Sequence, residues 1–113
     1  MDMTREEAMA YCLSLKDVYL DYPFDEEWQA MRHKANRKTF AFIFKYQGMI
    51  WINVKCEPLK GQFLRENHED IRPAYHMNKK HWISIILGGK LSDEEIKNCI
   101  HASYQMTSPK KST

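Results

Sequence analysis

The sequence predicts an α+β fold: a single domain with one antiparallel sheet, helices packed on it, and the element order α-β-β-β-α-β-β-α. Three observations carry that prediction. Phe40, Phe42, Phe44 and Tyr46 alternate strictly, as do Ile50, Ile52 and Val54, and again Ile83, Ile85 and Leu87; a period of two is the signature of a strand. Thr4 with Glu7, and Ser92 with Glu95, stand at capping-box spacing ahead of apolar residues at helical spacing. The Gln47-Gly48 link between the first two runs is too short for the crossover that parallel neighbours need.

Each element follows in order. The first helix spans 5–14, with Ala8, Tyr11, Cys12 and Leu15 at helical spacing. Asp17 to Phe24 contains Pro23 and no helical period, and reads as an ordered aromatic connection. Trp28 to His33 forms a first strand, and His33 to Lys38 a polar turn. In the run from Phe40 to Tyr46, Phe40, Phe42 and Phe44 are expected on one sheet face, against the first and last helices. Gln47-Gly48 is a short turn into the strand of Ile50, Ile52 and Val54, whose apolar row Cys56 continues.

Glu57-Pro58 opens a second helix, proline being tolerated in a first turn. Its Leu59, Phe63 and Leu64 are expected to face inward, and Gly61 to weaken it by about 1 kcal/mol relative to alanine. Ile71 to Met77 reads as extended but broken by Pro73, hence an irregular or edge strand. Asn78-Lys79-Lys80 makes a tight turn before the strand His81 to Leu87, which Gly88-Gly89 ends. The last helix presents Ile96, Cys99, Ile100, Ser103 and Tyr104 on one face. The Ser/Pro/Lys-rich tail begins at Thr107; residues 1–107 form the domain and 108–113 a flexible tail.

Composition narrows the class without naming an activity. A chain of 113 residues is one domain, and 43% hydrophobic residues with a net charge of only +2 exclude a disordered chain. No stretch approaches the ~18 apolar residues of a membrane span. The acidic, polar opening to Glu7 is no signal peptide. Cys12, Cys56 and Cys99, an odd count without CxxC spacing, predict reduced, buried thiols in a cytoplasmic protein.

The charge is unevenly distributed. Residues 1–27 hold eight acids against Arg5 and Lys16, a net of −6, whereas residues 28–90 hold twelve Lys/Arg against four acids, a net of +8. Such a basic middle suits a polyanion, or pairs with acidic faces within the fold.

Catalytic constellations are weak, and a non-enzymatic protein without cofactor is expected. No GxSxG, P-loop, HExxH or dinucleotide glycine pattern occurs. His76 and His81 flank the turn, but Lys79 and Lys80 between them oppose a divalent metal. Lys55 beside Cys56 would lower the thiol pKa, yet the position fits a buried packing cysteine better. Asp25-Glu26-Glu27 reads as a solvated charge run. The stronger pattern is a pair of basic turns: His33, Lys34, Arg37 and Lys38 in one, Lys79, Lys80 and His81 in the other. Each carries an asparagine, Asn36 and Asn78, and Phe40, Tyr75 and Trp82 flank them. Cations for phosphate, amides for sugar or base edges and rings for stacking are what a nucleic acid requires.

Asp21-Tyr22-Pro23-Phe24, the segment from Trp28 to Phe40, Asn53 to Pro58 and above all Pro73-Ala74-Tyr75-His76-Met77-Asn78-Lys79-Lys80-His81-Trp82 resemble the MmcQ/YjbR family of small bacterial proteins. Ser103-Tyr104 is similar to that family's terminal-helix ending, and the resemblance covers about residues 3 to 107. It implies an α-β(3)-α-β(2)-α fold, described as a double-wing DNA-binding domain and related in shape to secretion chaperones and the CyaY/frataxin-like sandwich. Gly61 within the second helix is the departure from the pattern.

Together these readings predict a cytoplasmic bacterial DNA-binding protein with basic wings and no membrane partner. Lys34, Arg37 and Lys38 would meet phosphates from one wing, Lys79 and Lys80 from the other, and Lys55 would add charge from a neighbouring strand. Asn78, His76, His81 and Trp82 would read or position the ligand. Two alternatives stay open. A protein-binding adaptor of secretion-chaperone type predicts a contiguous apolar surface. A small-molecule binder around His76 and His81 predicts a concave pocket.

Overall fold

The structure, a computed structural model, describes residues 2–109. The expected flexible tail lies, from residue 110 onward, outside the described residues. The elements are α1 (Arg5–Ser14), β1 (Val18–Asp21), β2 (Gln29–His33), β3 (Thr39–Tyr46), β4 (Met49–Lys55), α2 (Pro58–Asn67), β5 (Ile71–Pro73), β6 (Trp82–Ile86) and α3 (Asp93–Thr107). The six strands form one antiparallel sheet in the order β1-β2-β3-β4-β6-β5. The expected class is thus the observed one, with one strand more than the sequence indicated. Val18 to Asp21, read as a connection, pairs with β2 from Val18↔His33 to Asp21↔Ala30, and an Arg32–Asp21 ion pair of 3.0 Å ties the two strands.

Local chemistry sets the boundaries. The Thr4 hydroxyl accepts the Glu7 N–H at 3.1 Å and the Glu7 carboxylate accepts the Thr4 N–H at 3.1 Å, a complete capping box. At α3 the Ser92 hydroxyl accepts the Glu95 N–H, while the Glu95 carboxylate returns to the Ser92 hydroxyl. Gln47 and Gly48, with φ of 51° and 76°, make the two-residue β3–β4 turn between the paired Tyr46 and Met49. Positive φ at both central residues matches the twist of a tight hairpin.

The helix-covered face of the sheet is aliphatic. Met31, Ala41, Ile43, Ile52, Val54, Ile83, Ile85 and Leu87 pack there with Ala8 and Cys12 of α1 and Ile96 and Ile100 of α3. Burial pushes the Cys12 thiol up to about 12 and the half-buried Cys99 thiol up to about 11. It also raises Cys56, so desolvation outweighs the nearby cations.

Phe40, Phe42 and Phe44 are all buried, but not on one face. Met31 pairs with Ala41 and Arg32 with Thr39, so Phe40 is the extra residue of a bulge. Phe40 lies in the helix-side core, whereas Phe42 and Phe44 lie on the opposite face. Ser103 of α3 closes the opened ladder: its hydroxyl donates to the Phe40 carbonyl at 2.6 Å and accepts the Lys55 N–H at 2.8 Å.

Of the three residues expected to face inward from the second helix, Leu64 packs against the core but Leu59 and Phe63 do not. Gly61 is buried, while Leu59 is 75% and Phe63 61% exposed. A Cβ on Gly61 would stand 3.3 Å from the Ile83 methyl and 3.7 Å from the Cys56 sulfur. The glycine therefore lets α2 approach the sheet. Leu59 and Phe63, each two residues away and so about 200° around the helix, point outward.

Candidate functional site

The face without helices is covered by rings and one loop. Trp28, Phe42, Phe44, Tyr46, Trp51 and Trp82 stand on it, and the segment from Ala74 to His81 folds over them. Trp28 lies flat on Phe44, with centroids 3.9 Å apart and planes at 7°. Tyr75 stacks on Tyr46 at 4.0 Å, and His76 sits against Tyr75 at 4.0 Å. Flat stacking contributes about 0.5–1.5 kcal/mol per pair beyond burial.

A buried polar network holds this loop. Asn53 of β4 and Ser84 of β6 are fully buried and cross-strand partners. The Asn53 amide donates to the Tyr75 carbonyl at 2.8 Å, Ser84 accepts the Tyr75 N–H at 2.9 Å, and the Ser84 hydroxyl donates to the Asn53 side-chain oxygen. Both backbone groups of Tyr75 are thereby satisfied inside the protein. His76 follows with φ of 62°, a left-handed conformation that histidine adopts more readily than most residues but at a cost. Site assignment from the sequence overlooked Asn53 and Ser84: each stands between two residues of an apolar row, where alternation reads a polar side chain as simply facing outward.

The site residues read from the sequence separate into a basic end and the ring-lined face. The register places His33, Thr39, Lys55 and Trp82 at the same end of four strands. Lys34, Arg37 and Lys38, exposed in the β2–β3 turn, therefore lie at the same end of the sheet as Lys55 and as Lys79, Lys80 and His81, exposed ahead of β6. The two turns stand two strands apart, about 10 Å at ordinary strand spacing. Asp17, just before β1, and Glu57, just after β4, also stand at this end. His81 also accepts the Cys56 N–H at 2.8 Å through its carbonyl, which fastens the second turn to β4. Lys55, half-buried, borders a 230 Å³ cleft between α2 and α3.

Several residues of the expected wings serve the fold. The Asn78 side chain accepts the Lys80 and His81 N–H groups at 2.9 and 3.1 Å, forming its own turn. Asn36 donates to the Thr107 carbonyl at 2.9 Å and accepts the Lys38 N–H at 3.0 Å. His33, counted among the wing cations, is buried, with its Nε2 2.8 Å from the Thr107 hydroxyl. Desolvation lowers its pKa, so it is a neutral core residue at neutral pH. Thr107, read as the start of a frayed tail, is buried as the last residue of α3. Phe40 is buried in the helix-side core and offers no stacking surface. Tyr75 and half-buried Trp82 belong to the ring-lined face, where Trp82 lies 6.0 Å from Phe42.

Phe24, Asp25, Trp28, Phe42, His76 and Met77 line a cavity of about 320 Å³ on that face. His76 reaches it; His81 is not among its lining residues. Among the described residues, no group of three or more His, Cys, Asp or Glu could hold a metal ion. No helix among them is long and apolar enough to cross a membrane.

Fold and site define a small α+β domain whose sheet is closed by helices on one face and by aromatic rings and a pinned loop on the other. The family model described as YjbR matches residues 13–106, and the chain belongs to the YjbR family. It is 31% identical to the Escherichia coli K12 "Uncharacterized protein YjbR", over 91% of this chain and 86% of that one. It is 34% identical to the Bacillus subtilis "Uncharacterized protein YyaQ", over 93% and 98% of the two chains. A Pseudomonas syringae crystal structure superposes with a TM-score of 0.84 at 31% identity, over 94% of this chain and all of that one (100%). Deinococcus radiodurans protein DR2400, with a DUF419 domain, superposes with a TM-score of 0.85 at 27% identity, over 97% and 82%.

Proposed function

We propose that the protein binds DNA non-enzymatically, with the basic end of its sheet set against the phosphate backbone. The observation that supports this reading is the gathering of Lys34, Arg37, Lys38, Lys55, Lys79 and Lys80 at one end of the sheet, from turns far apart in sequence. The two basic turns act as paired wings. Asn78 and Asn36 hold those wings in shape, and base-edge chemistry there is sparse, so binding is electrostatic and weakly sequence-dependent.

The test is a salt titration on random duplex DNA. Replacing Lys79 and Lys80 together by glutamine is expected to lower the slope of log K against log[salt] by about two, each lost phosphate contact removing roughly 0.9. An unchanged slope removes this turn from the interface, and no binding at low salt refutes the reading. Exposed Leu59 and Phe63, neighbours at i and i+4 on α2, favour a second reading, a protein-binding adaptor. That reading predicts partner capture lost on Leu59→Ser and Phe63→Ser and untouched by the lysine changes.

A further inference from the structure

The cavity on the ring-lined face has a different chemistry from the basic end. Phe24, Trp28 and Phe42 stand with their centroids 6.0 to 6.3 Å apart. Trp28 is turned 80° from Phe24 and 68° from Phe42, whereas Phe24 and Phe42 lie within 20° of parallel, so the indole stands across two nearly parallel phenyl rings. Met77 and His76 also line the cavity, His76 with its ring 6.2 Å from Trp28. The back of Trp28 is occupied by Phe44, which fixes the indole plane. Phe24 is 72% exposed, a large ring left in water beside the opening.

Among the described residues, the only acid of the lining is Asp25, and no Lys or Arg lines it. Its Oδ1 accepts the Glu27 and Trp28 N–H groups at 2.9 and 3.1 Å, which fixes the carboxylate next to the indole. Glu26 is adjacent, and Glu27 is paired with Arg5 at 2.8 Å. Aromatic faces around a cavity attract a cation through their quadrupoles, most strongly when it carries alkyl groups and little hydration. A carboxylate in the same wall repels phosphates and carboxylates.

We propose that this cavity is a binding site for a small alkylated ammonium ion, of the quaternary ammonium class. The rings of Phe24, Trp28 and Phe42 would surround the N-methyl groups, Asp25 would supply the counter-charge, and Phe24 would close over the bound ion. Trp28 stands just before β2, at the end away from the basic turns, while His76 and Met77 lead directly into the second basic turn; ion binding here rests on the cavity's own chemistry and not on DNA binding.

The test is a ¹H–¹⁵N titration of the full chain at pH 8, followed through the tryptophan indole signals. Choline is the probe, and its uncharged carbon isostere 3,3-dimethylbutan-1-ol the control. Saturable movement of the Trp28 indole with choline, and at least about tenfold weaker binding of the isostere, is the expected result. Asp25→Asn and Phe24→Ala, both at exposed positions, should each weaken choline several-fold while leaving the amide spectrum folded. Equal binding of choline and its isostere overturns the proposal by reducing the site to an apolar hollow. Saturable binding of adenosine without choline also overturns it, in favour of a planar base. No movement up to molar choline removes the site altogether.

Discussion

The two faces of the same sheet are buried by different means. One face is filled mainly by aliphatic side chains, with Phe40 among them, and sealed by helices. The other is filled by Trp28, Phe42, Phe44, Tyr46, Trp51 and Trp82 and sealed by a loop that two buried polar side chains hold in place. Aliphatic packing needs only volume and exclusion of water. A loop over a sheet must also satisfy its backbone groups, which Asn53 and Ser84 do for Tyr75. Both faces are packed; the second also carries the cavity and the left-handed His76.

The largest expected effect comes from the two phenylalanines that the bulge places on opposite faces. Phe40→Ala and Phe44→Ala should each cost about 3–5 kcal/mol in chemical unfolding, both rings being fully buried. Their native states should differ. Loss of Phe44 frees the face of Trp28 and alters the tryptophan near-ultraviolet circular dichroism, whereas loss of Phe40 leaves that signal as it was. The same spectral change in both variants would show that the faces are not separate.

Removing the polar support is the next largest. Ser84→Ala leaves the Tyr75 N–H and the Asn53 oxygen without their partner and should cost about 1–3 kcal/mol. Hydrogen exchange should accelerate at Tyr75 and its loop neighbours while the α3 amides keep their protection. Uniform acceleration would mean that the network supports the whole domain rather than the loop.

The smallest effect is a pH dependence belonging to the helix-covered face. Burial lowers the His33 pKa below the ordinary ~6.5, so the unfolded chain binds its proton first as pH falls. Stability from this group is therefore full above about pH 6.5 and declines as the pH is lowered through that value. His33→Gln should flatten that part of the stability–pH curve; an unchanged slope would assign it to other groups.

Much of this arrangement was legible where the cause is local. The Thr4–Glu7 box, the Gln47-Gly48 turn and the rows Ile50/Ile52/Val54 and Ile83/Ile85/Leu87 depend on neighbours within a few residues. The four-residue β1 was not legible, because only Val18 is buried and its pairing partner lies across the sheet fold in β2. Alternation alone put Phe40 with Phe42 and Phe44. Both faces being apolar, nothing in the residue types marked the bulge that separates them. The inner face of α2 was hidden for the opposite reason, since the buried residue is a glycine with no side chain to betray it.

Within the site, the basic residues could be named from their turns, but not their grouping. That follows from β6 pairing with β4, a contact between residues about thirty apart, such as Asn53 and Ser84. His33 and Asn36 were misread for want of the same information, their partner being Thr107 at the far end of the chain. The cavity lining is equally non-local, joining Phe24 and Trp28 to Phe42 and to His76.

The measurement that tests the proposed function most directly is a ¹H–¹⁵N titration of the protein with a short random duplex at low salt. The basic-end reading predicts that shifts concentrate in residues 34–38, at Lys55 and over residues 78–82, and that they fade together as salt is raised. Shifts centred on Trp28, His76 and Phe24, or no shifts at a protein concentration where lysine-rich surfaces bind duplex, would contradict it.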